Sequence, residues 1–442
     1  MELEKFQAAR LIPTTGIKGD LDQERRTTSA FLAVLVAVPE FAKSLTKQLG
    51  APSGKISTYI EPEFALGEKR IRPDGLIVVE RGSNKWTALV EVKTSKNSLQ
   101  ADQINNYLEL CRLNGVDALW TISNEVLTLS GEHPTQGVDL KKTKKTKLVH
   151  FSWIRILTEA LLQKEYRGIS DPDQGWILGE LIRYLQHPAS GALEFSDMGE
   201  TWVGVRQGIL AGTLSVRDKG VAPVVNNFES LMRFVAFRLS AKLGVEAKEI
   251  APKLAKSDPG KHLQVTVGDF VSTGQLIGSI GIPKTVSPLV IRADLKSGQI
   301  FFSVEIPAPA EGRSSTRVSW LLRQLKGSQV DVRIETKVKR SSTPSNIALL
   351  SKAIENPALL TPTDDKEISA FIISTISKMG TKRGEGSGSF IESVVTGAEI
   401  AYSVLLERIK TWTPKPVRLQ VDSEPIGDSP FDPTESDTPL PE

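Results

Sequence analysis

Cysteine is nearly absent. Cys111 stands alone among 442 residues, so no intramolecular disulfide can form, and a reducing compartment suits the chain. Histidine is scarce as well. His133, His150, His187 and His262 are scattered, none pairs with another at metal-ligand spacing, and a Cys/His zinc centre cannot be built. No run of 18 apolar residues occurs, so no membrane span is expected. The opening residues, MELEKFQAAR, carry acids and no apolar segment. They do not read as a secretory signal, and a cytoplasmic location is the expectation. The Gly-rich stretch MGTKRGEGSGSF lacks GxxxxGK[ST], so it is a flexible loop and not a phosphate-cradling P-loop.

What is present describes a globular chain. Hydrophobic residues make up 40% and charged residues 24%, and the length implies two or three domains. Net charge is +3 but unevenly spread. From Lys415 onward there are two basic and seven acidic residues, leaving a modestly basic body that permits nucleic-acid binding without requiring it. That tail, residues 415–442, is acidic and proline-rich with few large apolar residues, and disorder is expected there.

Periodicity organises the rest. Leu21, Glu24, Thr28, Phe31, Leu32 and Leu35 recur at helical spacing over 20–38, and Pro39 marks a bend or stop. Residues 56–66, 71–80 and 86–94 read as strands. RGSNK between the last two makes them a hairpin. Asn97-Ser98-Leu99-Gln100 resembles a capping box opening a helix that carries Ile104, Tyr107, Leu108 and Cys111 on one face and stops at Gly115. Cys111 and the strand tryptophans Trp120 and Trp153 read as core. DALWTIS is another strand, and LVHFSWIRIL is a strand running into a helix. The expected layout is an α/β domain over 1–190, a linker at 191–225, an α+β domain at 226–414, and the tail. In the second domain the expected elements are a helix at 226–243, several strands within 263–306, a helix around Leu321, a strand DVRIETKV, and helices at about 366–379 and 390–412.

The chemistry concentrates in Arg72-Pro73-Asp74-Gly75 and Glu91-Val92-Lys93. If the hairpin turns between Gly82 and Ser83, Asp74 stands opposite Glu91 with Cβ atoms ~5 Å apart. Lys93, two residues on, shares that face. Two carboxylates this close repel unless a cation sits between them or one is protonated. Mg²⁺ (or Mn²⁺) suits such a pair, because it takes one or two carboxylates and fills its remaining positions with water and phosphate oxygens.

These residues resemble the motif of the PD-(D/E)XK nuclease superfamily. Gln103 and Tyr107 on the following helix match the Q-x-x-x-Y pattern of its RecB-type subgroup. The resemblance covers roughly residues 20–160. It implies a restriction-endonuclease-like mixed sheet flanked by helices. It also implies metal ligation by Asp74, Glu91 and the Val92 carbonyl, a Lys93 that assists the attacking water, and substrate or metal-shell contacts from Gln103 and Tyr107. Glu24 on the first helix is the expected further acid and metal ligand, with Glu61 and Glu63 as competitors. The expected activity is phosphodiester hydrolysis, with nucleic acid, DNA before RNA, as partner. The alternative is a catalytically silent nuclease-fold protein acting as a nucleic-acid-binding or assembly module. Residues 226–414 leave a homo-oligomer or a protein partner open. Lysines 141, 142, 144, 145 and 147, and the cations Arg313, Arg317, Lys337, Lys339 and Arg340, are candidates for contact with phosphates or for a solvated surface.

Overall fold

A computed structural model describes residues 11–12, 16, 18–67, 69–95, 97–126, 133–135, 137–139, 141, 146–192, 195, 197–340, 346–363, 366–384 and 386–413. The acidic tail and Lys142, Lys144 and Lys145 lie outside the described residues. The described residues up to Thr411 pack as one unit.

Helix α1 (Gly19–Ala37) is followed by α2 (Pro39–Leu49), which leaves it at 107°. Pro39 ends the first helix and opens the second, as a residue without an N–H can do at a helix start. Gly50, at φ +102°, closes α2. No single described helix is long and apolar enough to cross a membrane. Strand β1 (Lys55–Ile60) is shorter than the expected 56–66 strand. Glu61, at φ +47°, and Pro62 break it, and the remainder forms a small hairpin of β2 (Phe64–Leu66) and β3 (Lys69–Ile71).

Strands β4 (Gly75–Arg81) and β5 (Asn84–Val92) form an antiparallel hairpin, with Gly82 at φ +61° in the turn. Helix α3 (Ala101–Asn114) follows. No side chain caps it, so the capping-box reading fails: the chain arrives extended at Gln100, and the helix begins at Ala101. Strands β6 (Ala118–Ser123) and β7 (Lys147–Ser152) then pair in parallel, giving a five-stranded mixed sheet of order β1-β4-β5-β6-β7. The two faces differ. Ile77, Val90, Val92, Trp120, Ile122 and Phe151 pack toward α1, α2 and α4 (Trp153–Leu162). Leu76, Leu89, Leu119 and Leu148 pack toward α3. Phe31 meets Trp120 and Trp153 edge-on at 5.5 and 5.7 Å, each such pair adding ~0.5–1.5 kcal/mol beyond burial. After α4 the chain forms a π turn, Gln163–Arg167, and then α5 (Pro172–Leu185), capped by the Asp171 carboxylate.

Residues 191–225, expected as a linker, hold α6 (Trp202–Ala211) and the start of α7 (Val221–Leu243). Trp202 is fully buried, its ring 4.5 Å from that of Phe390. Beyond α7 come β8 (Lys248–Glu249), α8 (Lys253–Ser257), α9 (Pro259–Thr273), β9 (Gln275–Gly281), β10 (Leu289–Asp294), β11 (Gln299–Pro307), α10 (Ser314–Leu325), β12 (Arg333–Val338), β13 (Asn346–Leu349), α11 (Leu350–Glu355), β14 (Ile368–Lys378) and α12 (Phe390–Ala401). They build a seven-stranded sheet of order β13-β12-β14-β11-β10-β9-β8.

The strands expected within 263–306 are present as β9, β10 and β11, preceded by α9, which the Asp258 side chain caps on Lys261 N with Pro259 in its first turn. One sequence expectation fails in this half. The helix expected at 366–379 is the central strand β14, paired with both β11 and β12. Its Ile368, Ile372, Ile373, Thr375 and Ile376 are β-branched, which favours the pleated backbone over a helix. Close packing brings the helices onto this sheet. A Cβ on Gly278 would lie 2.4 Å from Met232 of α7, and one on Gly397 of α12 2.2 Å from Phe302.

Candidate functional site

The hairpin register sets the site. Gly75 pairs with Val90, so Asp74 and Glu91 stand at the next step outward. Glu91 pairs with Thr121 and Thr121 with His150. Asp74, Glu91, Thr121 and His150 therefore form one polar row on the α3 side, one step beyond the leucine row that α3 covers. Asp74 Oδ2 accepts from Val92 N at 2.7 Å.

Glu91 is 1% exposed. Its Oε1 accepts from Gln103 Nε2 at 2.7 Å and from Lys93 Nζ at 2.8 Å. Its Oε2 is buried with no hydrogen-bond partner. Gln103 Nε2 also reaches Tyr107 Oη at 3.1 Å, and Tyr107 Oη donates to Arg72 O at 3.5 Å. One turn of α3 thus ties Glu91 to the chain just before Asp74. Lys93 Nζ donates to Glu24 Oε1 at 3.1 Å and to the Val92 carbonyl at 3.1 Å. Glu24 arrives from α1, which lies close because position 75 has no side chain. A Cβ there would meet Leu32 Cδ1, two turns along from Glu24, at 2.6 Å.

The structure brings together Asp74, Glu91, Val92, Lys93, Gln103, Tyr107 and Glu24. Of the competing acids, Glu61 pairs with Arg25 at 2.7 Å and Arg72 at 3.5 Å, beside Asp74. Glu63 is exposed and meets Arg70 at 3.7 Å. Arg317 is buried and donates to Ile368 O, Ala310 O and Glu367, so it supports the fold and is not presented to a partner. Lys337 and Lys339 pair with Glu305 and Glu367. Lys147 donates to Gln48 O.

Burial dominates the electrostatics. It pushes Glu91 well above the ordinary carboxylate range, the Asp74 charge adds to that, and Lys93 only partly offsets it. Burial also raises Asp74 and Glu24. For Lys93 burial works the other way, but Glu91, with Asp74 and Glu24, outweighs it and holds the ammonium firmly charged. One ammonium therefore faces three carboxylates, Glu91, Asp74 and Glu24, and the cluster is short of positive charge.

The oxygens of Asp74, Glu91 and the Val92 carbonyl are donors of the kind a hard divalent cation takes, and Glu91 Oε2 is a buried acceptor without a hydrogen-bond partner. Among the described residues no three His, Cys, Asp or Glu side chains stand together as a ready ligand group. Glu24 reaches the cluster through Lys93.

Sequence reading missed the supports. After Lys93 the chain turns through Ser95, at φ +53°, an uncommon conformation for a non-glycine residue. Ser95 N donates to Gly191 O, and Asn124 Nδ2 donates to both Ser95 O and Gly191 O. Trp153 Nε1 holds Lys93 O at 2.9 Å. His133 and His150 converge on Thr121 Oγ1 at 2.8 and 3.1 Å, although 17 residues separate them in sequence. Alternation along β6 and β7, aligned in parallel register, is the one signal that would have put Thr121 and His150 beside Glu91. No protein-family model matches this chain, and no curated protein matches it.

Proposed function

We propose that the chain is a metal-dependent nuclease of the PD-(D/E)XK type, hydrolysing phosphodiester bonds in nucleic acid, DNA before RNA. The restriction-endonuclease-like core would be the mixed sheet with α1, α3 and α4. The observation that carries this reading is the Asp74–Glu91 pair, half-buried at Asp74 and fully buried at Glu91, with an orphaned Glu91 oxygen and a charged lysine on the same carboxylate.

Asp74, Glu91 and the Val92 carbonyl would hold Mg²⁺ or Mn²⁺. When bound, the ion supplies positive charge for the scissile phosphate and lowers the pKa of a water. Gln103 keeps Glu91 in place, and Tyr107 keeps Gln103. Lys93 has three N–H donors and three protein acceptors, so contact with a phosphate oxygen must exchange one of them. The neutral Val92 carbonyl is the acceptor released at least cost. Glu24 then keeps the ammonium charged and oriented while it faces substrate.

Incubation with single- and double-stranded DNA and RNA, with Mg²⁺, with Mn²⁺ and with EDTA, tests the reading. Metal-dependent cleavage that Asp74→Ala abolishes is expected. Equal behaviour of wild type and Asp74→Ala on every substrate overturns it. The second reading is a silent nuclease-fold protein that binds nucleic acid without cleaving it. It is favoured by one observation, that the Lys93 ammonium bridges Glu24 and Glu91 and so offsets part of the charge a metal would neutralise. Metal-independent gel-shift affinity, unchanged by Lys93→Ala, would support it.

A further inference from the structure

A cavity of about 470 Å³ lies where α2, α4, the π turn after α4, α7 and β8 meet. None of its lining residues belongs to the carboxylate cluster. Four cations and three acids line it. Arg167 pairs with Glu159 at 2.8 Å, Arg233 with Glu249 at 3.3 Å, and Lys248 with Glu246 at 3.1 Å. Arg155 is left over. Its guanidinium lies 3.8 Å from the Phe151 ring centroid and donates to Gln48 Oε1, and among the described residues it has no carboxylate within ion-pair distance. Burial works against its charge, Glu159 and Glu246 ease this from farther away, and Arg233 adds repulsion.

A half-buried guanidinium without a carboxylate in ion-pair contact is unfavourable unless an anion completes it. The neighbours offer more donors. Arg233 uses only its Nε, and Arg167 only one Nη, in its ion pair. Their other N–H groups have no protein acceptor among the described residues. Arginine forks match phosphate oxygens in pairs, and three forks around one cavity exceed what a carboxylate would engage. Leu162, Ala236 and Phe237 add apolar lining to the same cavity, and the volume is that of a single small-molecule ligand.

We propose that this cavity binds a nucleoside phosphate, with Arg155, Arg167 and Arg233 on the phosphate and Phe237 against the base. The site is separate from the carboxylate pair and does not depend on nuclease activity.

Isothermal titration of the full chain in EDTA tests it, with AMP, GMP, CMP and UMP, inorganic phosphate, adenosine, and an oligonucleotide with a 5′-phosphate as probes. At least one monophosphate is expected to bind one to one. Inorganic phosphate should bind at least tenfold more weakly, and adenosine not measurably. Arg155→Gln should weaken the monophosphate at least tenfold. Its melting temperature without ligand should match or exceed that of wild type, since no carboxylate loses a partner. Arg155→Lys, which keeps the charge and loses the fork, should fall between the two and serves if the glutamine variant does not fold. Asp74→Asn should bind as wild type does, which separates this site from the nuclease reading. The proposal is overturned if no monophosphate binds, if the Arg155 variants bind as tightly as wild type, if inorganic phosphate binds equally well, or if only the oligonucleotide binds.

Discussion

Replacing Glu91 with glutamine separates function from stability. The glutamine keeps the shape and keeps an oxygen for Gln103 and Lys93, which now stand at 2.7 and 2.8 Å from Oε1. It removes a charge that burial and Asp74 both disfavour. A carboxylate whose pKa is raised by folding contributes stability that is complete below its unfolded value of 4.5 and is lost as pH rises. The wild-type protein therefore loses stability above pH 4.5 through this group, and the variant does not. Lys93 keeps Glu24 and Asp74 as counter-charges, so the lost ion pair subtracts only part of the gain. At pH 8 the metal-free variant should be more stable by about 1–3 kcal/mol, and at pH 4 it should differ little from wild type. Urea unfolding in EDTA at both pH values measures this. Mn²⁺ should raise the wild-type melting temperature and leave the variant's nearly unmoved. Cleavage should fall ~10³-fold or more, since a metal's charge stabilisation is worth several kcal/mol. A variant that is less stable than wild type at pH 8, or that keeps the full Mn²⁺ shift, would refute the assignment of Glu91 as a buried ligand in want of a cation.

Other perturbations probe the frame around the site. Gly75→Ala places a Cβ 2.6 Å from Leu32 Cδ1 and should cost ~1–3 kcal/mol by overpacking, with cleavage reduced as α1 moves Glu24 away. Leu32→Ala in the same chain should restore part of the activity, and no restoration would point to a cause other than this contact. Burial holds His133 near 4 and His150 near 3, so both stay neutral in the fold while the unfolded chain takes up protons below about 6.5. Stability from this pair is complete above that value and is lost as pH falls toward 4, by at most about 2–3 kcal/mol per residue at pH 4.5. The double variant His133→Gln/His150→Gln should flatten the acid limb of the urea midpoint, and an unchanged limb would exclude the pair as its source.

Short-range relations were legible in the chain. A two-residue turn makes the summed numbers of paired residues constant, so the opposition of Asp74 and Glu91 follows from the position of Gly82-Ser83 alone. Gln103 and Tyr107 are one helical turn apart, so their common face needs only the period of α3. The same local logic misjudged Ile368–Lys378, whose apolar residues suit either a buried strand or a helix. Pairing with β11 and β12 on both sides settles it, and no neighbour within the segment reports those partners.

Sequence by itself thus determined the hairpin, the helix behind it and the residue types that face each other there, because these depend on spacing within about 35 residues. Tertiary structure decided that Glu24, and not Glu63, meets Lys93. That depends on how closely α1 can approach Gly75. It also decided that Thr121 and His150 continue the carboxylate row, because parallel strands joined by long connections have no register until they pair. The Arg155 cavity is the extreme case. Its walls come from residues 44 to 249, and Arg155 is left without a counter-charge only because folding has matched every nearby acid to another cation.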